Sequence, residues 1–130
     1  MECKTYCVYR HSTKWLNTEN VYIGQTKGDP KKRWYGRGGK HGYKHGKCGL
    51  AFDSLDFDTF WKHEILHSGL TKQQADVLET IEIIKHDAVR QGLNSNYGKG
   101  LRYVGLSRAD VENDPAAAVE VLEKFLENIA

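Results

Sequence analysis

The chain has 130 residues, 28% of them charged and 39% hydrophobic, with a net charge of +2 and a mean hydropathy of −0.64. That length bounds it to one domain with at most an appendage and a modest core, and no apolar run approaches the ~20 residues of a membrane span. The net charge hides an asymmetry: residues 1–50 carry eleven Lys/Arg against three Asp/Glu, a balance of +8, and residues 51–130 carry eight against fourteen, a balance of −6.

Thr5 to Arg10 is rich in aromatic and β-branched residues and reads as a strand, with Thr5, Cys7 and Tyr9 on one face and Tyr6 and Val8 on the other. Asn17-Thr18-Glu19-Asn20 supplies turn chemistry, and Val21 to Gln25 reads as a second strand with Val21 and Ile23 opposite Tyr22. Asp29-Pro30 opens a short helix over Lys31–Tyr35, because Asp caps free N–H groups and Pro is tolerated at the first helical position. Gly36 to Gly49 reads as a loop, followed by a short helix around 50–55 and a third strand over Phe60–Leu66. Thr71 with Gln74 forms a capping box for the longest helix, about 72–90. Gly92 to Gly100 is a loop, Ser107 to Asp110 resembles a capping box, and Asp114-Pro115 opens an amphipathic helix over 115–129.

These elements predict an α/β fold: a small, mainly antiparallel three-stranded sheet flanked by helices, with residues 1–100 as the main domain and 101–130 as a helical C-terminal extension. The apolar stripe of the last helix must be buried, either on the core or against a second copy in a homodimer. Its charges are mostly acidic, the segment 101–130 holding three Lys/Arg against six Asp/Glu, so nucleic-acid contact is not expected there.

A basic half beside an acidic half suggests one face for a polyanion. The cations are interleaved with Trp34, Tyr35, Tyr43 and seven glycines between residues 28 and 49, a mixture suited to phosphate and base contact. Lys31, Lys32, Lys40, Lys44 and Lys47 are therefore the expected DNA-binding residues. The odd number of cysteines, three, argues against a secreted disulfide framework, and Met-Glu-Cys-Lys lacks the apolar stretch of a signal peptide. A cytoplasmic location with no membrane partner is expected. Cys3-x₃-Cys7 and His41-x₃-His45 have zinc-ligand spacings, but the two pairs are over thirty residues apart.

Within the long helix, Val77, Ile81, Ile84 and Ala88 define the apolar stripe, and periodicity places Glu79 on the solvent side with Glu82 and His86. Tyr9 and Tyr22 alone read as strand formers packing on neighbours. A free phenol, with a pKa of about 10, is a poor base unless cations or a metal stabilise it. Lys27, Lys31, Lys32 and Arg33 follow Tyr22 closely.

Taken together, Cys7-Val8-Tyr9, Tyr22-Ile23-Gly24, Arg33, the phrase Leu70-Thr71-Lys72 through Leu78-Glu79 to Ile83-Ile84-Lys85, and Asn94 after Gly92-Leu93 resemble the GIY-YIG family of metal-dependent endonucleases over residues 4–100. The second triplet matches letter for letter, whereas Cys7, Val8 and Leu93 depart from the family's Gly, Ile and Tyr. The resemblance implies that Tyr9 activates or orients the attacking water with Tyr22 beside it and Lys27 in support. It implies that Arg33 forks onto the scissile phosphate, that Glu79 binds one Mg²⁺ or Mn²⁺ (Glu82 being the second choice), and that Asn94 contacts phosphate or holds the active-site loop. Many members carry a histidine one helical turn beyond the arginine. That position is Arg37 here, so either Arg37 or a loop histidine, His41 or His45, takes the role. A compact, free-standing, phage-type nuclease acting on DNA in a bacterial or phage-infected cell is the expectation. The alternative is a non-catalytic nucleic-acid-binding module of the same fold, with or without structural zinc.

Overall fold

The computed structural model describes residues 4–15, 18–36, 41–44 and 46–129. Three strands, β1 (Tyr6–Trp15), β2 (Thr18–Lys27) and β3 (Lys62–Leu70), form one antiparallel sheet in the order β2-β1-β3. Six helices accompany them among the described residues: α1 (Pro30–Trp34), α2 (Gly46–Ser54), α3 (Lys72–Lys85), α4 (Gly100–Val104), α5 (Arg108–Asn113) and α6 (Pro115–Ile129). The expected α/β fold with its three-stranded antiparallel sheet and C-terminal helix is the observed one. None of these helices is long and apolar enough to cross a membrane.

The strand alternation divides the protein into two cores. Val8, Val21 and Ile23 face α3 and join Val77, Ile81 and Ile84 in one apolar cluster. Cys7 and Tyr9 face the opposite way, into an aromatic cluster of Trp34, Tyr43, Phe52, Phe57 and Trp61 supplied by α1, α2 and their connections. All three strands are longer than their apolar runs. β1 continues through His11, Ser12 and Thr13, which are buried. It can do so because side-chain hydrogen bonds satisfy its polar groups, as Thr13 Oγ1 does by donating to the Phe60 carbonyl at 2.6 Å. β3 starts two residues later than its apolar run and extends to Leu70. The β1–β3 register slips on both sides of Val8, an irregularity adjoining Tyr9, and such bulges re-aim side chains.

Helix starts follow their caps: the Asp29 carboxylate accepts from Lys31 N–H, and the capping boxes at Thr71 and Ser107 are both closed. α2 begins inside the Gly-rich stretch read as loop. α3 stops at Lys85, five residues short of the expectation, because Asp87 adopts a left-handed φ of 49° and Ala88 N–H turns back to the Ile83 carbonyl.

The C-terminal helices do not stand apart from the first hundred residues. Val111, Ala118 and Leu122 are buried in the same cluster as α3, with Phe125, Leu126 and Ile129 packed against it. The stripe of α6 is thus covered in part by the protein's own core, with Val121 left exposed. Leu122 is fully buried, so Leu122→Ala should lower stability by about 2–5 kcal/mol, readable in urea or thermal melts. A cost near zero would mean that α6 is only loosely seated on α3.

Candidate active site

The site forms beside β2, at the edge of the sheet, where the two cores meet. Tyr22 from β2, Glu79 from α3 and Asn94 from the loop after it line one cleft of about 220 Å³. On the aromatic side, Arg33, Lys32, Lys44 and His41 line a second cleft of about 490 Å³. Arg33 and Glu79 both act electrostatically on the Tyr9 phenol, and both act on Tyr22.

Tyr9 is only 1% exposed and lines neither cleft. Its cross-strand partner is Gly24, and a Cβ there would stand 2.6 Å from the Tyr9 ring and hydroxyl. The glycine of Tyr22-Ile23-Gly24 therefore exists to admit the phenol. Burial pushes the Tyr9 phenol up to about 12, against the lowering effects of its Tyr43 hydrogen bond and of Arg33. Burial likewise raises the Tyr22 phenol. The basic residues after Tyr22 do not make a resting phenolate, as the sequence suggested they could.

Arg33 is fixed twice. Its guanidinium lies 4.1 Å above the Tyr43 ring, and Nη1 donates to the Gly42 carbonyl at 3.1 Å. A cation on an aromatic face keeps its remaining N–H groups available for an anion.

Glu79 is where periodicity misled. It is not a solvent-facing glutamate: Gln25 Nε2 reaches its Oε1 at 3.3 Å from β2, and Gly98, in the left-handed region, packs against the same oxygen from the other side. A Cβ at residue 98 would come within 3.0 Å of Oε1, so the glycine leaves a cradle around the carboxylate. Burial, and then repulsion from Asp76, push the Glu79 carboxyl up to about 7. Asp76 behaves in the opposite way. Burial opposes its charge, but hydrogen bonds from Lys72, Gln25 and Tyr103 hold its carboxyl below the ordinary value. Glu82 faces the other end of the sheet, paired with His67 at 3.3 Å and with His86, so it does not enter the Glu79 cleft. Of the trio, Glu82 and His86 stay together, while Glu79 turns to Gln25 of β2.

Asn94 acts on the backbone. Its Oδ1 accepts from Ile23 N–H at 2.9 Å and its Nδ2 donates to the Ile23 carbonyl at 2.8 Å, so it completes the free edge of β2 as another strand would. It holds the loop that lines the cleft, while its amide is committed to the sheet. His41 is also committed: Nδ1 accepts from Tyr43 N–H and Nε2 pairs with Asp53. Lys27 stands exposed at the end of β2, level with Tyr6, and lines neither cleft. Lys31, Lys32 and Lys44 are exposed, but Lys47 donates to the Val89 carbonyl at 3.1 Å. Arg37, Lys40, His45 and Cys3 lie outside the described residues.

A row of polar groups beneath Tyr9 was not anticipated. The hydroxyls of Tyr9 and Tyr43 are 2.7 Å apart, and the Tyr43 hydroxyl is 2.9 Å from His11 Nε2. His11 Nδ1 is 2.8 Å from His63 Nδ1, and His63 Nε2 is 2.8 Å from the Phe57 carbonyl. The available signal was the continuing alternation of β1, which puts His11 on the face of Tyr9 two residues later.

No family model, curated protein or solved structure matches the chain. Among the described residues no group of three or more His, Cys, Asp or Glu is placed to hold a metal ion. Any metal here would rest on a single carboxylate, completed by water and substrate oxygens, which is how Mg²⁺ is usually held. Glu79 suits that arrangement: its charge is disfavoured by burial, its one side-chain hydrogen bond among the described residues is long, and Gly98 leaves room around it. Of the four residues at zinc-ligand spacing, Cys3 and His45 lie outside the described residues, Cys7 is buried and His41 is engaged with Asp53.

Proposed function

We propose that this chain is a divalent-metal-dependent endonuclease of GIY-YIG type that hydrolyses DNA phosphodiester bonds. The observation that carries the reading is convergence. Tyr9, Tyr22, Arg33 and Glu79 come from four elements spread over seventy residues of sequence, yet Arg33 and Glu79 both act on the Tyr9 and Tyr22 phenols, and Tyr22 and Glu79 line one cleft.

The division of labour follows from their placement. Lys32 and Lys44 draw the phosphate backbone toward the groove that they share with Arg33. The Arg33 guanidinium, already oriented by Tyr43 and Gly42, donates to the non-bridging oxygens on which charge builds as water adds to phosphorus. Tyr9, by the same resemblance, is the group that orients or activates the attacking water. Glu79 would hold Mg²⁺ or Mn²⁺, which when bound polarises the phosphate. Tyr22 walls the cleft beside Glu79, and Asn94 keeps the wall opposite in place.

Incubation of supercoiled plasmid with the full chain in Mg²⁺ or in EDTA tests the reading. Nicking that appears only with the metal is expected. DNA that is bound but never cut with Mg²⁺ or Mn²⁺ would instead select the non-catalytic binding module.

A further inference from the structure

Beside the cleft of Tyr22, Glu79 and Asn94 lies a third cavity, of about 360 Å³, walled by Ala51 of α2, Leu55 just after it, Trp61 and Leu93. Leu93 lines both cavities, so the two adjoin. The groove of Arg33 offers cations and the Glu79 cleft a carboxylate, but no charged side chain among the described residues lines this third cavity. It therefore suits neither a phosphate nor a metal ion. Its size and mostly apolar walls are those of a site for a small uncharged group.

The polar groups on its rim are of mixed kind. Thr13 and Asn20 face each other across β1 and β2, and both line the cavity. The Asn20 side chain makes no hydrogen bond among the described residues, which leaves its amide able both to donate and to accept. Thr13 and Ser54 give their hydroxyl hydrogens to the Phe60 and Leu50 carbonyls, at 2.6 and 2.8 Å, so each can only accept from a ligand. Apolar walls with donors and acceptors at the rim match the faces and the edge of a heterocyclic base.

We propose that this cavity receives one unpaired nucleobase of the DNA held at the adjoining cleft. The inference rests on the nucleic-acid reading of that cleft. The surroundings alternate as a nucleotide strand does. Across Leu93 lies the cleft of Glu79, and across Thr13 lies a groove that carries Lys14, Lys62 and the ring of Phe60, which is 54% exposed. Two glutamates share that groove: Glu64 is held by Arg10 at 2.6 Å, and Glu19 is the partner of Lys14 in the neighbouring strand. A strand leaving the cavity thus meets ammonium groups for its next phosphate and an aromatic face for its next base. A paired base cannot enter, because its edge is engaged by its complement and its faces by stacking. The ligand is an extrahelical or single-stranded base, the kind that costs least to unstack.

The test titrates two end-labelled duplexes with the full chain in EDTA, one fully paired and one with a single-nucleotide bulge. The bulged duplex should bind about tenfold more tightly, which is what stacking of one base contributes. Ala51→Leu fills the cavity from α2 with a good helix former, and Asn20→Ala removes the free amide. Each should erase most of that preference while leaving affinity for the paired duplex and the melting temperature unchanged. In the wild-type chain the Asn20 side-chain amide resonances should shift with the bulged duplex and stay in place with the paired one, a readout that needs no variant. Equal affinity for the two duplexes, a preference that survives both substitutions, or Asn20 resonances that do not respond to the bulge overturns the base site. With Mg²⁺ the two readings part. Bulge preference without any cleavage keeps the base site and removes the nuclease, whereas cleavage of both duplexes without preference keeps the nuclease and removes the base site. A chain that binds neither duplex removes both.

Discussion

Glu79→Gln is expected to abolish Mg²⁺-dependent cleavage and, at the same time, to make the metal-free protein more stable above neutral pH. Both effects have one cause. The carboxyl is raised from 4.5 to about 7, chiefly by burial, so the folded protein disfavours the charge that the metal requires. For an acid whose folded pKa lies above its unfolded value, the penalty is absent at pH values below about 4.5. It grows between 4.5 and 7 as the unfolded chain ionises first, and it is constant above 7. At about 1.36 kcal/mol per pH unit the full penalty is about 3 kcal/mol, an upper figure because neighbouring water and lysines screen it. Gln carries no charge at any pH and escapes it. Urea melts in EDTA should therefore show the variant more stable than wild type at pH 8, with the difference vanishing near pH 4.5. By the same sign, Mg²⁺ competes with a proton below about pH 7, and wild-type metal affinity should drop about tenfold per unit there. Glu82→Gln is the control. Its carboxylate serves His67 and His86 toward the β3 edge of the sheet, so cleavage should survive. Retained cleavage in the Glu79 variant would remove the carboxylate from the metal site. Equal melts at pH 8 would show that its burial imposes no cost.

How far the sequence disclosed this molecule depends on the range of the contact. Strand faces were readable because alternation is local: Tyr9 and Cys7 opposite Val8, and Tyr22 opposite Val21 and Ile23, fall into the two cores as expected. Caps at Asp29, Thr71 and Ser107 were readable for the same reason. The end of α3 was not, since the stop is a left-handed Asp87 where a glycine would have announced it. Glu79 was misjudged because a stripe argument assumes one covering layer. α3 is enclosed by the sheet, by α4 and α6, and by the loop at Gly98, which leaves little of it in water. Convergence of Tyr9, Arg33 and Glu79 has no local signature at all, so only the resemblance brought them together. His11 was passed over because a polar residue after an apolar run suggests a strand's end, and His63, inside the expected third strand, has no local sign that it faces His11. Here each polar group is matched by another, and the strands run on.

Arg33→Lys is expected to lower the cleavage rate by about 10²–10³-fold while changing plasmid affinity little. The two side chains share a charge, so attraction to the backbone persists and the salt dependence of binding should be nearly unaltered. What lysine lacks is the planar fork. Arg33 rests its face on Tyr43 at 4.1 Å and spends Nη1 on the Gly42 carbonyl, which fixes the direction of the remaining donors before any substrate arrives. A flexible ammonium would neither stack in that orientation nor offer two parallel N–H groups to a phosphate. Loss of one fixed donor to developing charge costs about 2.7–4 kcal/mol in the transition state, which sets the expected factor. Arg33→Ala should lose the same rate and, in addition, one phosphate contact, reducing the slope of log affinity against log salt by about 0.9. Single-turnover cleavage measures the first effect and a salt titration of binding the second. A lysine variant that cuts at the wild-type rate would reduce Arg33 to one more cation in the groove, and would make the stacking on Tyr43 a packing contact without consequence for the chemistry.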